Sequence, residues 1–181
     1  MVSPTKFLNM TRLDLPRLID GLGICHGVEI GVAQGWFSQW LLSHSRLESL
    51  WLVDPYPSGP FRVDQGDAVM HTRQYGDRVV PHWVSSVEAA NLAAREGRRF
   101  GFIYIDGNHR KVCVEQDIEA WLPLCDSPCI FAGHDYLDRH RNDLGVIPVV
   151  HALARRLRMP LFLTGEDVAT WFFILGTKVR I

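Results

Sequence analysis

Strand-like and helix-like segments alternate along this sequence, and the alternation limits the folds open to it. Apolar and β-branched stretches predict strands over residues 24–30, 47–54, 78–84, 99–106 and 127–135. Amphipathic stretches predict helices over residues 35–46, 85–97, 110–124 and 144–158, with 64–77 helical in part. This order is typical of a doubly wound α/β fold, in which helices cover both faces of a parallel sheet.

The two ends of the chain depart from that alternation. Residues 161–176 contain two strand-like runs around a short turn, which predicts a hairpin. Such a hairpin adds an antiparallel strand near one edge of a mostly parallel sheet, so we expect a seven-stranded sheet. Residues 1–22 are predicted to form a helical extension, and a chain of 181 residues fits a single domain.

Charge and composition argue against several classes of partner. The formal net charge of −1 gives no electrostatic basis for binding nucleic acid. No apolar run approaches the roughly 20 residues that span a membrane, and residues 1–16 lack the apolar core of a secretory signal. The four cysteines form no CxxC pair, which favours reduced, buried cysteines in a cytoplasmic protein.

Candidate site residues follow from the predicted sheet. In doubly wound folds, ligands bind beyond the carboxyl ends of the strands. The polar side chains at those ends are therefore the candidates, and all but the serine can carry charge: Glu29, Asp54, Ser85, Asp106, His134 and Asp135.

The loop after the first of these predicted strands reads EIGVAQG, residues 29–35. A dinucleotide loop needs GxGxxG, but here the middle glycine is missing and Glu29 would repel a phosphate. A ligand with an amine and a carboxylate fits better, because Glu29 can accept from the amine while loop N–H groups meet the carboxylate. Asp54, ending the next strand, is placed for a ribose diol. An amino acid joined to a nucleoside without pyrophosphate describes S-adenosyl-L-methionine.

These motifs resemble those of class I S-adenosylmethionine-dependent methyltransferases, over roughly residues 20–181. The loop VEIGVAQG and the strand end LVDPY match the first two motifs of that superfamily, and the terminal strand TWFFILG suits its Rossmann-like topology. More specifically, IYIDGNH and IFAGHDY resemble small-molecule O-methyltransferases whose fourth strand ends in IDGxH and whose fifth ends in HDY.

The resemblance implies a set of cofactor-binding residues. From the methionine end to the adenine they are Glu29, Gly31 and Gly35, then Asp106 facing the methyl, Asp54 at the ribose, and Ser85 and Ser86 beside the adenine. An alternative stays open for Ser85, because Ser85 followed by Glu88 also has the pattern of a helix capping box.

On the acceptor side, Asp106, His134 and Asp135 end two strands that we expect to be adjacent, so they could converge on one divalent metal ion. The resemblance here is to metal-dependent O-methyltransferases of the catechol and macrolide-sugar types, but His134 stands where those families place a carboxylate. Imidazole suits zinc, iron, nickel or copper better than magnesium. Either the ion differs, or there is none.

His109, three residues past Asp106, is the candidate general base, because imidazole with its ordinary pKa of about 6.5 can take a proton near neutral pH. The resemblance adds that a lysine base lies at this offset in the catechol type. Two alternatives stay open: His134 is the base, or His109 only caps the helix that begins near Arg110.

The leading prediction is an enzyme that methylates an oxygen of a small molecule, a sugar or a secondary metabolite, with no nucleic acid or membrane partner. An NAD(P)-dependent Rossmann oxidoreductase and a non-catalytic cofactor-binding scaffold are the alternatives. The short N-terminal segment leaves little chain for a lid, so the acceptor site is either open or completed by the second subunit of a homodimer. Arg139 and Arg141 are placed to pair with an acidic acceptor.

Overall fold

The computed structural model describes residues 3–56, 61–137 and 145–176, with only the backbone of residues 61–63. The strands are β1 (Thr5–Phe7), β2 (His26–Ile30), β3 (Ser49–Val53), β4 (Val79–His82), β5 (Phe100–Ile105), β6 (Cys125–Tyr136), β7 (Phe162–Thr164) and β8 (Ala169–Leu175). The α-helices are α1 (Leu15–Gly21), α2 (Trp36–His44), α3 (Phe61–Thr72), α4 (Ser86–Arg95), α5 (Lys111–Trp121) and α6 (Val146–Leu157). Short 3₁₀ helices cover Arg12–Asp14, Arg73–Arg78 and Leu122–Leu124.

One eight-stranded sheet has the order β1-β7-β8-β6-β5-β2-β3-β4. β8 runs antiparallel to both of its neighbours, β6 and β7, and the remaining described pairs are parallel. The predicted doubly wound α/β fold with a terminal antiparallel hairpin is confirmed. The predicted strand count is one short, because β1 lies in the segment expected to be helical and pairs with β7 at the edge of the sheet.

The helices lie on both faces of the sheet, as the alternation predicts. One apolar cluster joins α4, α5 and α6 to the sheet through side chains such as Ile118 and Val150. The other joins α1, α2 and α3 to the opposite face through side chains such as Ile19 and Leu41. All six residues of β5 are buried, which fits a central strand covered on both sides.

The strand order reverses between β2 and β5, which are neighbours in the sheet although β3 and β4 lie between them in sequence. From β2 the chain moves outward to β3 and β4, and from β5 it moves the other way to β6. In open α/β sheets, the crevice at such a switch point binds the ligand. The loops after β2 and β5 are therefore where a site is expected.

The described residues bear on two of the expectations, one about membrane-spanning helices and one about the cysteines. No helix among the described residues is both long and apolar enough to cross a membrane. All four cysteines fall within the described residues and are unpaired, but only Cys129 is fully buried and Cys25 is exposed. Burial of all four cysteines was therefore a wrong prediction. Arg139 and Arg141 lie outside the described residues.

Candidate functional site

The loops after β2 and β5 are joined at the switch point. The Asp106 N–H donates to the Ile30 carbonyl at 2.7 Å. The Gly31 N–H holds the loop after β2 to β3 as well, by donating to the Val53 carbonyl at 2.9 Å. Gly31 has φ +87°, and a Cβ atom there would lie 2.2 Å from the Asp106 carbonyl oxygen. Only glycine fits this backbone conformation at this distance, so the close approach of the two loops depends on it.

A cavity of about 520 Å³ opens at these strand ends. That volume is within the range of about 300–1,000 Å³ typical of small-molecule sites. Five of the predicted cofactor residues line it: Gly31, Asp54, Ser85, Ser86 and Asp106. Sequence reasoning did not assign other polar residues of its wall to a ligand, namely Tyr56, Asp64, Asn108, Gln116 and Asp117.

Glu29 lies behind the glycine loop and does not line this cavity. Its side chain is only 1% exposed, and the Ser38 hydroxyl of α2 donates to its carboxyl group. Burial raises the pKa of Glu29 to about 8, so at neutral pH the buried carboxyl group is mostly protonated. In this structure the carboxyl group of Glu29 thus fixes the start of α2, and its contact with a ligand amine stays a prediction.

Gly35 also lies away from the cavity wall, where it helps two helices to pack. It is the N-cap of α2 with φ +76°, and a Cβ atom there would lie 2.9 Å from the Cα atom of Ala68 in α3. Gly35 thus lets α2 and α3 pack closely beside the loop. Gly35 does not line the cavity, and its contact with the cofactor stays a prediction.

A testable consequence follows from the burial of Glu29. The folded chain keeps this proton up to about pH 8, whereas the ordinary pKa of the group is 4.5. The free energy of unfolding should therefore fall by up to about 1.4 kcal/mol per pH unit between those values, because the folded state binds the extra proton. Glu29→Gln removes the ionisation, so we expect the variant to gain stability over the wild type as pH rises.

Denaturant melts of both proteins from about pH 5 to about pH 8 measure this difference. The exposed Glu48→Gln variant is the matched control for loss of a carboxylate. A Glu29→Gln difference that stays constant with pH would contradict the prediction.

Asp54 organises the glycine loop as well as lining the cavity. Its Oδ2 accepts from the N–H groups of Val32 and Ala33 at 3.0 and 3.2 Å, and its Oδ1 accepts from the Tyr56 N–H at 2.9 Å. The Tyr56 hydroxyl donates to the Ala33 carbonyl at 2.5 Å. Two loop N–H groups that could have met a ligand carboxylate are thus directed at Asp54.

Ser85 and Ser86 begin α4 at the other side of the cavity. The predicted capping box is present, with the Glu88 N–H donating to Ser85 Oγ at 3.4 Å and the Ser85 N–H donating to Glu88 Oε2 at 3.0 Å. The Trp121 indole donates to Ser86 Oγ at 2.9 Å. Both serines line the cavity, so Ser85 combines the cap with a place on the wall.

The ends of β5 and β6 bring two histidines and two carboxylates together. His109 Nε2 lies 2.9 Å from Asp135 Oδ2 and 3.6 Å from Asp106 Oδ1. His134 Nδ1 lies 3.4 Å from Asp135 Oδ2 and 3.8 Å from Asp106 Oδ1. The predicted convergence of these strand ends is therefore present in the fold.

The charges in this cluster, which consists of Asp106, His109, His134 and Asp135, shift the pKa values of its members. The neighbouring carboxylates, Asp106 first and then Asp135, raise the pKa of His109 to about 9 although partial burial opposes the shift. Burial alone would raise the pKa of Asp135, but the neighbouring imidazoles of His109 and His134 hold it below its usual range. Without a ligand, His109 therefore carries a positive charge at neutral pH.

The same cluster has the donor set of a metal site. Single ligand atoms of Asp106, His134 and Asp135 lie within 4.8 Å of one another. His109 Nε2 is buried beside them without an aligned hydrogen bond. Two carboxylate oxygens with an imidazole nitrogen suit a divalent transition metal, so these residues fit such an ion.

Arg12 reaches the cluster from the N-terminal segment, and sequence reasoning missed it. Its Nη1 lies 3.6 Å from Asp106 Oδ2, and its guanidinium lies over the Phe37 ring at 5.2 Å. Its backbone N–H donates to both carboxylate oxygens of Glu166, at 3.0 and 3.1 Å. No motif surrounds Arg12, so only its proximity to Asp106 in the fold reveals it.

Known proteins are similar to this chain in sequence or in fold. A family model described as a methyltransferase domain matches residues 28–136. An O-methyltransferase from Bacillus cereus, solved with S-adenosylhomocysteine, is similar with a TM-score of 0.70 and 16% identity, over 90% of this chain and 79% of that chain. An O-methyltransferase from Streptomyces achromogenes that is involved in tomaymycin synthesis, solved with S-adenosylmethionine, has a TM-score of 0.72 and 16% identity, over 94% and 82%.

An N-methyltransferase from Bradyrhizobium japonicum is similar as well, with a TM-score of 0.66 and 16% identity, over 90% of this chain and 93% of that chain. At such identities the likeness shows the fold alone. It does not choose between oxygen and nitrogen as the methyl acceptor. No curated protein matches the sequence significantly.

Proposed function

The chain belongs to the methyltransferase-domain family that matches residues 28–136, and we propose that it transfers a methyl group from S-adenosyl-L-methionine to an oxygen of a small molecule. The observation that carries this proposal is the cavity at the switch point, which has Asp54 on its wall and Asp106 beside the His109–Asp135 pair. Solved relatives of the same fold hold S-adenosylmethionine or its product, which supports the choice of cofactor.

The cofactor occupies the cavity with its parts matched to the wall. Asp54 accepts from the ribose diol, as strand-end acids in such folds do. Ser85 and Ser86 lie beside the adenine, and Gly31 with Asp106 receives the methionine end. Glu29 and Gly35, the other two predicted cofactor residues, lie behind this wall and hold the loop in shape.

Methyl transfer is an in-line displacement that depends mainly on positioning. A lone pair of the acceptor oxygen forms the new C–O bond while the S–CH₃ bond breaks and its electrons stay on sulfur, giving S-adenosylhomocysteine. The hydroxyl proton goes to His109, which Asp135 orients through the 2.9 Å contact. The cofactor is cationic, so its binding beside Asp106 lowers the pKa of His109 and favours the neutral imidazole that accepts that proton.

A divalent ion would be held by Asp106, Asp135 and His134, with His109 beside them. When bound, it would lower the pKa of the acceptor hydroxyl and stabilise the resulting oxyanion. The protein's own part is to place the two carboxylates and the two imidazoles around the position of the acceptor oxygen.

Calorimetry tests the proposed cofactor. We expect S-adenosylhomocysteine to bind and NAD not to bind, because the loop lacks the middle glycine of a dinucleotide site. Asp54→Asn replaces the carboxylate that accepts hydrogen bonds from the ribose, and it should weaken the binding of S-adenosylhomocysteine by about 10-fold or more.

Asp167→Asn, an exposed carboxylate in the turn between β7 and β8, is the control and should bind as the wild type does. Binding of NAD in place of S-adenosylhomocysteine would instead favour an oxidoreductase of the same fold.

A further inference from the structure

A second cavity runs along α2 and meets the proposed reaction centre at Arg12, which pairs with Asp106. Its volume is about 510 Å³, and none of its lining residues belongs to the proposed cofactor cavity. The N-terminal segment, α2 along its whole length and the 3₁₀ helix after α3 form its walls. Its aromatic, apolar and cationic lining residues include Arg12, Leu13, Trp36, Phe37, Trp40 and Tyr75.

The walls of this cavity combine aromatic rings with the polar side chains of Gln39, Ser43 and His44. The Trp36 indole donates to Gln34 Oε1 at 3.1 Å, and the Trp40 indole donates to the Leu13 carbonyl at 2.9 Å. Trp36 nevertheless remains 60% exposed, an unusual exposure for so large an apolar side chain. His71 already lies against the Trp36 ring and His44 against the Trp40 ring, at centroid distances of 3.8 and 3.6 Å. The indole nitrogens are engaged as well, so the part of Trp36 that stays exposed offers a ligand a planar, apolar surface.

Arg12 stands where this cavity meets the Asp106 cluster. The described contacts of its guanidinium are the Phe37 ring, the Tyr104 hydroxyl and Asp106 at 3.6 Å, which is longer than a hydrogen bond. The side chain is 36% exposed. Most of its five N–H donors therefore remain available for a ligand.

Several features hold Arg12 in place before any ligand binds. Glu166 accepts from its backbone N–H, and Thr11 and Asp14 form a capping box around it. Gly165 approaches the N-terminal segment so closely that a Cβ atom there would lie 2.2 Å from the Leu8 carbonyl oxygen. These contacts fix the backbone that carries Arg12, and the Phe37 ring restricts its guanidinium. Less entropy is therefore lost when the guanidinium pairs with a carboxylate.

We propose that this second cavity binds the methyl acceptor and that the acceptor is a planar acid whose carboxylate pairs with Arg12. Its ring packs on Trp36 and Trp40, and a hydroxyl next to the carboxylate lies towards Asp106, where the methyl group arrives. Because Asp106 is shared with His109 and His134, its charge does not occupy Arg12 alone. This inference rests on the proposed methyl transfer for the position of the reacting methyl.

Salicylate, a planar hydroxy acid, is the probe, and salicylamide is its uncharged counterpart. Titrations monitored by tryptophan fluorescence should show that salicylate binds to the wild type more tightly than salicylamide does. We expect Arg12→Ala to weaken the binding of salicylate by about 10–100-fold, the usual effect of losing a charged hydrogen-bonded pair. The binding of salicylamide should be unchanged. Arg12→Lys should give an intermediate loss of salicylate affinity, because lysine keeps the positive charge but lacks the planar guanidinium that binds a carboxylate through two N–H groups.

Arg17→Ala is the matched control, since Arg17 is 88% exposed on α1 and should leave both probes unaffected. Thermal melts establish that each variant is folded, and Glu166→Gln offers a second way to loosen Arg12. Equal binding of salicylate by the wild type and Arg12→Ala would overturn the inference, and so would a failure of salicylate to bind the wild type. S-adenosylhomocysteine calorimetry on the same samples separates this result from failure of the proposed function, which would show as loss of cofactor binding in the wild type.

Discussion

His109→Ala is expected to lower kcat by about 10²–10⁴-fold, the usual contribution of a general base, while the affinity for S-adenosylhomocysteine is unchanged. We expect this result because of where His109 lies in the site. His109 lies on the acceptor side of Asp106 and points at Asp135, and it does not line the cofactor cavity. The measurement is release of S-adenosylhomocysteine during turnover with the acceptor, together with calorimetry of the same variant.

Two comparisons make this result specific. His26→Ala is the matched control, because His26 is exposed at the opposite end of β2 and contacts Ser49. His134→Ala tests the other imidazole of the cluster, which lies 3.4 Å from Asp135. Full activity in His109→Ala together with an inactive His134→Ala would assign the proton transfer to His134.

The sequence predicted the position of the site well because position follows from topology. Asp54, Asp106 and His134 each end a parallel strand, and the carboxyl ends of parallel strands meet at one edge of a sheet. The order of motifs along the chain was enough to place these residues together, without knowledge of any side-chain contact.

The direction in which a side chain points was harder to predict, and Glu29 shows why. Successive side chains of a strand point to opposite faces of the sheet. Val28 and Ile30 pack with the cluster beneath α4 and α5, so Glu29 turns to the other face, under α2. A loop motif indicates that an acid is present, but only the packing decides which face receives it.

Long-range contacts without a motif were beyond prediction. Nothing in the short segment around Arg12 indicates that Glu166 and Asp106 hold it, since both contacts join residues far apart in sequence. β1 was missed for a related reason. Its three residues are all exposed, so the segment shows no apolar alternation and forms a strand only because β7 provides an edge.

Gly31→Ala is expected to destabilise the protein by about 2–5 kcal/mol, the sum of a left-handed backbone penalty and local overpacking. The new Cβ atom would lie 2.2 Å from the Asp106 carbonyl oxygen, and that backbone cannot move without opening the contact between β2 and β5. Because Gly31 and Asp106 both line the cofactor cavity, S-adenosylhomocysteine binding should weaken along with stability. Thermal denaturation and calorimetry measure the two effects, with roughly 2–4 °C expected per kcal/mol.

Gly66→Ala is the control that separates this geometry from the general effect of adding a methyl group to a glycine. Gly66 lies in α3, and a Cβ atom there would meet no atom within 4 Å. Since alanine favours a helix over glycine by about 1 kcal/mol, this variant should melt at or above the wild-type temperature. If Gly31→Ala instead melted with the wild type and bound S-adenosylhomocysteine normally, the close contact of the two loops could not be what shapes the cofactor cavity.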